Sequence, residues 1–321
     1  MTSRSILAAV LILAATTTAQ ADDDPITVTL TPLTEYGPYK AKLTIIAHAD
    51  REVVIDRRLL QLTVRPQVEG RRRSPRLRCR HPNEPRRADR TREMSAGETY
   101  EEWIDLRMYC WGRPLRALEA GPATIEVGYG FRRGGRGRFV AREEGERRPP
   151  RSVDAEPYAW VGPSAAEDSE NESPVEVGLR PTSARGEPLL RPTIRATEGR
   201  PRAYLRDDLW SFTVRGPLGS VECRPSRQVI APIVDFFSRL SSRPRTESFA
   251  VEHYCPDDTF AVPGVYEVTP RVELIYDADR FDFDAVTGTF EGAPAPVRRT
   301  RGEYVEQTLE SLEAFASPES S

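Results

Sequence analysis

A single strand pattern occurs twice along this chain, and a fold that suits one copy must suit the other. Ile26-Thr-Val-Thr-Leu-Thr-Pro32 returns as Val175-Glu-Val-Gly-Leu-Arg-Pro181, and Leu59-Leu-Gln-Leu-Thr-Val-Arg65 returns as Leu209-Trp-Ser-Phe-Thr-Val-Arg215. Leu77-Arg-Cys79 then matches Val221-Glu-Cys223, Met108-Tyr-Cys110 matches His253-Tyr-Cys255, and Ile125-Glu-Val127 matches Tyr266-Glu-Val268. The offset drifts from 149 residues (Ile26 to Val175) to 141 (Val127 to Val268). Loops that change length between strands that do not produce such a drift.

Apolar residues alternate at period two through the first copy: Ile26-Val28-Leu30, Ala41-Leu43-Ile45, Leu60-Leu62-Val64, Ile104-Leu106-Met108 and Ile125-Val127-Tyr129. Turn residues separate them at Tyr36-Gly-Pro38, Ser95-Ala-Gly97 and Gly121-Pro122. Short alternating strands with such punctuation predict a two-sheet sandwich rather than βαβ units. The expected fold class is therefore all-β, with two tandem β-sandwich domains at 22–146 and 175–300. A linker is expected over 147–174, where Pro149-Pro150 precedes an acidic, polar stretch. Ile230, Ile233, Val234, Phe237 and Leu240 fall at helical spacing and predict a short helix inserted in the second domain. Val305, Leu309, Leu312 and Phe315 predict a C-terminal helix within 301–321. The same alternation turns Trp103 outward, over a linker or a partner. It places His253, aligned with Met108, in the core.

Residues 1–21 have the three parts of an export signal: Arg4, the apolar run Ile6–Ala15, and small residues at Ala19-Gln-Ala21. That run is too short to span a bilayer, which takes roughly 20 residues, and no later segment is long and apolar enough. A secreted or periplasmic chain is expected, with no transmembrane segment after cleavage. Four cysteines fit an oxidising compartment. They allow three pairings, and the repeat selects Cys79 with Cys110 and Cys223 with Cys255. A four-cysteine zinc site is disfavoured because no C-x-x-C pair occurs.

Charge is distributed unevenly. Residues 22–150 hold 26 Lys+Arg and 20 Asp+Glu, a net of +6, whereas 151–321 hold 19 and 29, a net of −10. Eleven arginines lie between Arg65 and Arg92, among them Arg71, Arg72, Arg73, Arg76 and Arg78. A second group comprises Arg132, Arg133, Arg136 and Arg138. Guanidinium forks suit phosphate, sulfate and carboxylate, so these arginines are candidate contacts for an anionic envelope component or a protein partner. Nucleic acid is not expected, because no aromatic residues interleave with the arginines to stack bases. Asp277, Asp279, Asp282 and Asp284 are candidate calcium ligands, although their spacing does not match an EF-hand loop; no other cofactor is indicated. Three histidines lie far apart, and neither G-x-S-x-G nor H-E-x-x-H occurs. Glu101 and Glu102 are not a catalytic carboxylate pair, since neighbours on a strand face opposite sides. No catalytic residue is assigned.

The stretch Met94-Ser-Ala-Gly-Glu-Thr-Tyr-Glu-Glu-Trp-Ile-Asp-Leu106, with Gly121-Pro-Ala-Thr-Ile-Glu-Val127, resembles the late strands of immunoglobulin-like and fibronectin-III-like exported domains. Ser248-Phe-Ala-Val-Glu-His-Tyr-Cys255, followed by Pro263-Gly-Val-Tyr-Glu-Val268, shares the arrangement. A similar module precedes the catalytic domain of deuterolysin-type metallopeptidases, whose H-E-x-x-H is missing here. The chain also resembles secreted proteins of GC-rich bacteria. This likeness implies the sandwich architecture and no functional residues. It departs from the immunoglobulin pattern in the close spacing of each cysteine pair, and in a tyrosine one rather than two residues before the second cysteine. The function expected is that of a non-catalytic binding or scaffold protein acting through its arginine-rich loop, the alternative being a hydrolytic enzyme or proteinase inhibitor of the cell envelope.

Overall fold

The computed structural model describes residues 24–67, 74–83, 85, 88–132, 137–163, 173–225, 233–302, 305–308 and 310–312. The expected export signal and Arg71, Arg72 and Arg73 lie outside these residues. The all-β expectation holds: strands dominate, helices are short, and the described residues contain no helix long and apolar enough to cross a membrane.

The first half comprises β1 (Ile26–Pro32), β2 (Lys40–Ala47), β3 (Arg51–Val54), β4 (Leu60–Pro66), β5 (Leu77–Arg80), β6 (Thr91–Met94) and β7 (Thr99–Asp105). After β7 come α1 (Leu106–Tyr109), α2 (Arg113–Glu119), β8 (Ala123–Gly130), β9 (Ala141–Arg142) and β10 (Ser152–Trp160). One sheet runs β1-β2-β7, another β10-β8-β4-β5, and a third β6-β3-β9. Ile26, Val28 and Ile45 from the first sheet share one core with Leu62, Val64, Ile125 and Val127 from the second. The period-two pattern therefore does what it predicts, burying alternate side chains of each strand against the facing sheet.

The second half repeats this plan. Its β11 (Val175–Leu179) and β14 (Pro192–Ala196) pair in the same antiparallel sense as β1 and β2. Between them lie the short strands β12 (Thr182–Ala184) and β13 (Leu189–Leu190). β15 (Arg202–Tyr204) precedes β16 (Trp210–Gly216) and β17 (Gly219–Cys223), which mirror β4 and β5 to the residue: Leu62 faces Cys79 and Phe212 faces Cys223. The remaining strands are β18 (Phe237–Arg239), β19 (Arg245–Thr246), β20 (Phe249–Ala250), β21 (Gly264–Leu274), β22 (Gly288–Glu291) and β23 (Ala295–Arg299). β21 takes the place of β8, but Phe212 meets Pro270 where the repeat would set it against Val268. A slip of two residues keeps every inward side chain inward, whereas a slip of one would not.

Both expected disulfides are present, Cys79–Cys110 and Cys223–Cys255. Each ties an edge strand to a helical turn rather than to a second strand. Cys110 follows α1, and Cys255 follows a 3-10 turn at Val251–His253. The tyrosine before each second cysteine has a repeated role. Tyr109 donates its hydroxyl to the Arg57 carbonyl at 2.8 Å, and Tyr254 donates to the Asp207 carbonyl at 3.1 Å. Those carbonyls sit in equivalent 3-10 turns, Arg57–Leu59 and Asp207–Leu209. Each turn is also braced by an i,i+2 ion pair, Asp56 with Arg58 in one copy and Arg206 with Asp208, of reversed sign, in the other.

Three expectations need correction, and a fourth, the C-terminal helix, lies largely outside the described residues. Residues 152–160, placed within the linker, are strand β10, paired along β8 from Ser152–Gly130 to Trp160–Ala123. Trp160 is buried and donates its indole N–H to the Leu118 carbonyl. Pro157 and the polar outer face disguised this strand; the register breaks between Ala155 and Tyr158, where proline cannot donate to the ladder. The segment expected to be an inserted helix forms, from Val234 on, a 3-10 turn at Val234–Phe236 followed by β18, and residues 226–232 lie outside the description. Of the expected C-terminal helix, one helical turn at 310–312 is described. His253 is not in the core: its side chain is 73% exposed, because the strand alternation stops at a 3-10 turn.

The halves meet along a polar seam. Arg107 donates to Glu267 at 2.8 Å, and Arg298 donates to the Met108 carbonyl at 3.1 Å and lies over the Trp111 ring. The chain's last described stretch returns to β7: the Trp103 N–H donates to Gln307 O, and its indole N–H to Ser311 Oγ at 3.0 Å. Trp103 is turned outward as expected, and it is this C-terminal stretch that buries it. His81 sits beside the seam, edge-on to Tyr109, with Nδ1 accepting from the Asn83 N–H. Burial, together with the Arg57, Arg58 and Arg298 charges, drops its pKa to about 3. The unfolded chain, with a histidine pKa near 6.5, then binds more protons than the folded one between those values. Stability should rise with pH from about 3 to 6.5 and be lost on acidification. Tm measured from pH 4 to 7 should climb less steeply in His81→Gln than in the parent, and identical slopes would refute this assignment.

Candidate functional site

Arg76, Arg78 and Arg80 of the first arginine group and Arg132 and Arg138 of the second, separate in sequence, meet at the outer face of the β10-β8-β4-β5 sheet; Arg133 and Arg136 lie outside the described residues. Leu62, Val64, Cys79, Val127 and Val153 face inward there, so Gln61, Thr63, Arg78, Arg80, Gly128 and Asp154 face outward. Register aligns Arg80, Gln61, Gly128 and Asp154 in one row across the four strands, and Arg78, Thr63 and Glu126 in the next. Strands lie about 4.8 Å apart, so the face is roughly 14 Å wide. Arg78 and Arg80, two residues apart on edge strand β5, sit about 7 Å apart along it.

Side chains border this face as an open groove of about 890 Å³. Arg76, Arg78 and Arg80 form one side; Arg132 and Arg138 flank the loop after β8. Arg132 is held by the Cys79 carbonyl at 3.2 Å, and Arg138 lies 5.9 Å from the Phe131 ring centre. Gly128 keeps the floor low: a Cβ there would approach Asp154 Oδ1 to 3.5 Å. Pro85 and Ser152 complete the rim.

Charge compensation within the groove is partial. Arg65 and Arg76 both reach Glu126, at 2.5 and 2.8 Å. Burial opposes charge on Glu126, but these hydrogen bonds outweigh it and hold its pKa below the usual carboxylate value. Arg78 and Arg80 are exposed and make no ion pair among the described residues. Two guanidinium forks thus stand ready for an anion, with a third, Arg76, already oriented by Glu126.

Of the candidate residues, Arg76 and Arg78 line this groove, and Arg71, Arg72 and Arg73 lie outside the description. Asp277, Asp279, Asp282 and Asp284 are spread along an exposed turn around Asp279–Phe281. No three His, Cys, Asp or Glu side chains converge as metal ligands would among the described residues. Glu101 and Glu102 do face opposite sides: Glu101 is exposed, and fully buried Glu102 accepts from Arg57 and from the Gln307 N–H. Sequence reasoning missed Gln61 and Asp154. The signal for Asp154 was its alternation with Val153 and Ala155, hidden because 147–174 read as a linker. Comparison with family models and with curated proteins found no match for this chain.

Proposed function

We propose that this is an exported, non-catalytic binding protein whose first sandwich, immunoglobulin-like in plan, holds an anionic ligand in the arginine groove. Export rests on the signal at residues 1–21, and two cystines with no free cysteine suit a secreted or periplasmic setting. The observation that carries the reading is the pair Arg78 and Arg80, without counter-ions among the described residues, on the wall of a groove of about 890 Å³ that three further arginines also line. Guanidinium–anion hydrogen bonds contribute about 1.5–3 kcal/mol each, or roughly tenfold or more in affinity.

Titration of the mature, oxidised protein with heparin as the polyanionic probe tests this. Arg78→Ala with Arg80→Ala should weaken binding at least about tenfold and reduce its dependence on salt. Tm should barely change, because both side chains are exposed. Unaltered affinity in the double variant would overturn the groove as the site.

A further inference from the structure

We infer that the ligand is an acidic saccharide, rather than a bare polyanion; the inference rests on the groove being the anion site. The floor is what distinguishes the two. A surface built only to attract negative charge would not carry an uncompensated carboxylate, yet Asp154 lies in the same row as Arg80 and has no ion-pair partner among the described residues. Against phosphate or sulfate it repels. Against a sugar it accepts hydrogen bonds from hydroxyl groups, which a carboxylate does with up to four lone-pair sites.

Its neighbours have matching chemistry. Gln61 spends its amide N–H on the Gly130 carbonyl at 2.8 Å, which orients the amide and leaves its oxygen as an acceptor. Thr63 and Ser152 add hydroxyls that donate or accept. Gly128 keeps the centre open for a ring to lie against the sheet. The groove is therefore divided, with arginine forks on the β5 side for the anionic group and neutral or acidic acceptors across the floor for hydroxyls. Its volume falls within the roughly 300–1,000 Å³ of small-ligand sites. Phe131 and Tyr129 line it but are buried, so no exposed ring offers a platform for stacked bases.

The test uses two charged oligosaccharides, a galacturonate tetrasaccharide and a heparin-derived tetrasaccharide, against inorganic tripolyphosphate and a neutral maltotetraose. Binding of either acidic sugar above the neutral one is expected, and which acidic sugar binds distinguishes carboxylate from sulfate as the anionic group. Asp154→Asn should weaken the acidic sugar about tenfold, having lost a charged acceptor, while tightening tripolyphosphate, having lost a repulsion. Asp154 is a surface residue, and an unchanged Tm would verify that the variant folds. If Asp154→Asn tightens the sugars and tripolyphosphate alike, the saccharide inference is overturned and the anion groove stands. If none of the three anionic probes binds, the groove reading falls and takes the inference with it.

Discussion

Replacing Asp105 by alanine should destabilise the protein by about 3–5 kcal/mol, the largest effect expected of any single substitution. Asp105 is buried between two buried cations, Lys40 Nζ at 2.9 Å and the Arg107 guanidinium at 2.7 Å. Its carboxylate also caps α1 by accepting from the Arg107 N–H at 2.9 Å. Burial alone would raise its pKa; the two cations overcome that and hold it well below the usual carboxylate range. Apolar residues of similar volume in place of such a cluster are often as stable, but removing one charged member leaves its partners charged and dry, which is the costly case. Here both buried cations would lose their shared carboxylate, Arg107 keeping Glu267 and Lys40 keeping the face of the Trp103 ring. Asp105→Asn keeps an acceptor and should fall between parent and alanine variant. The contribution is complete above the unfolded carboxylate pKa near 3.9 and is lost as pH drops toward the folded value. Urea unfolding at pH 7 and pH 3 measures both aspects. The gap between parent and variant should narrow at pH 3, and a loss below about 1 kcal/mol at pH 7 would contradict a dry cluster.

How far such features could be read beforehand depends on whether the information is local. Alternation along β1, β2, β4 and β8 is local, and it located the core of both halves. The cystine pairing follows from the repeat. β10 was hidden because Pro157 and outward Asp154 and Glu156 make its composition that of a linker, although Val153 and Trp160 are buried. The helical spacing of Ile233, Val234, Phe237 and Leu240 misled because a 3-10 turn also brings residues three apart onto one side. His253 followed an alignment that was correct in sequence but crossed from strand into turn. The groove needed topology: Arg78 and Arg132 become neighbours only because β4 lies between β5 and β8. Arginine composition marked the wall, while the acceptors Gln61 and Asp154 carry no sequence signal beyond their place in an alternation.

The second large effect concerns cooperativity. Cys223→Ala with Cys255→Ala opens a loop of about 32 residues, for which the chain-entropy model gives about 3.7 kcal/mol, within the 2–5 kcal/mol typical of native cystines. Both sulfurs are buried, so some packing is lost as well. From the repeat alone, the damage should stop at the second half, since each copy has its own core and its own bridge. The seam argues otherwise. Val265 belongs to the second half's β21 yet is buried in the first half's core. Arg107 and Glu267 pair across the boundary, Asn83 donates to the Thr300 carbonyl, and Trp103 is covered by Gln307 and Ser311 from beyond β23. Loosening the second half releases these contacts too. Calorimetry of the double variant should therefore show the second half losing about 2–5 kcal/mol and the first half's transition shifting downward by a smaller amount. Trp103 fluorescence should move to longer wavelength with that first shift. If the first transition and Trp103 both stay where they are, the seam contributes no stability and the halves are independent units. If both halves fall equally, the chain unfolds as one cooperative body despite its two cores.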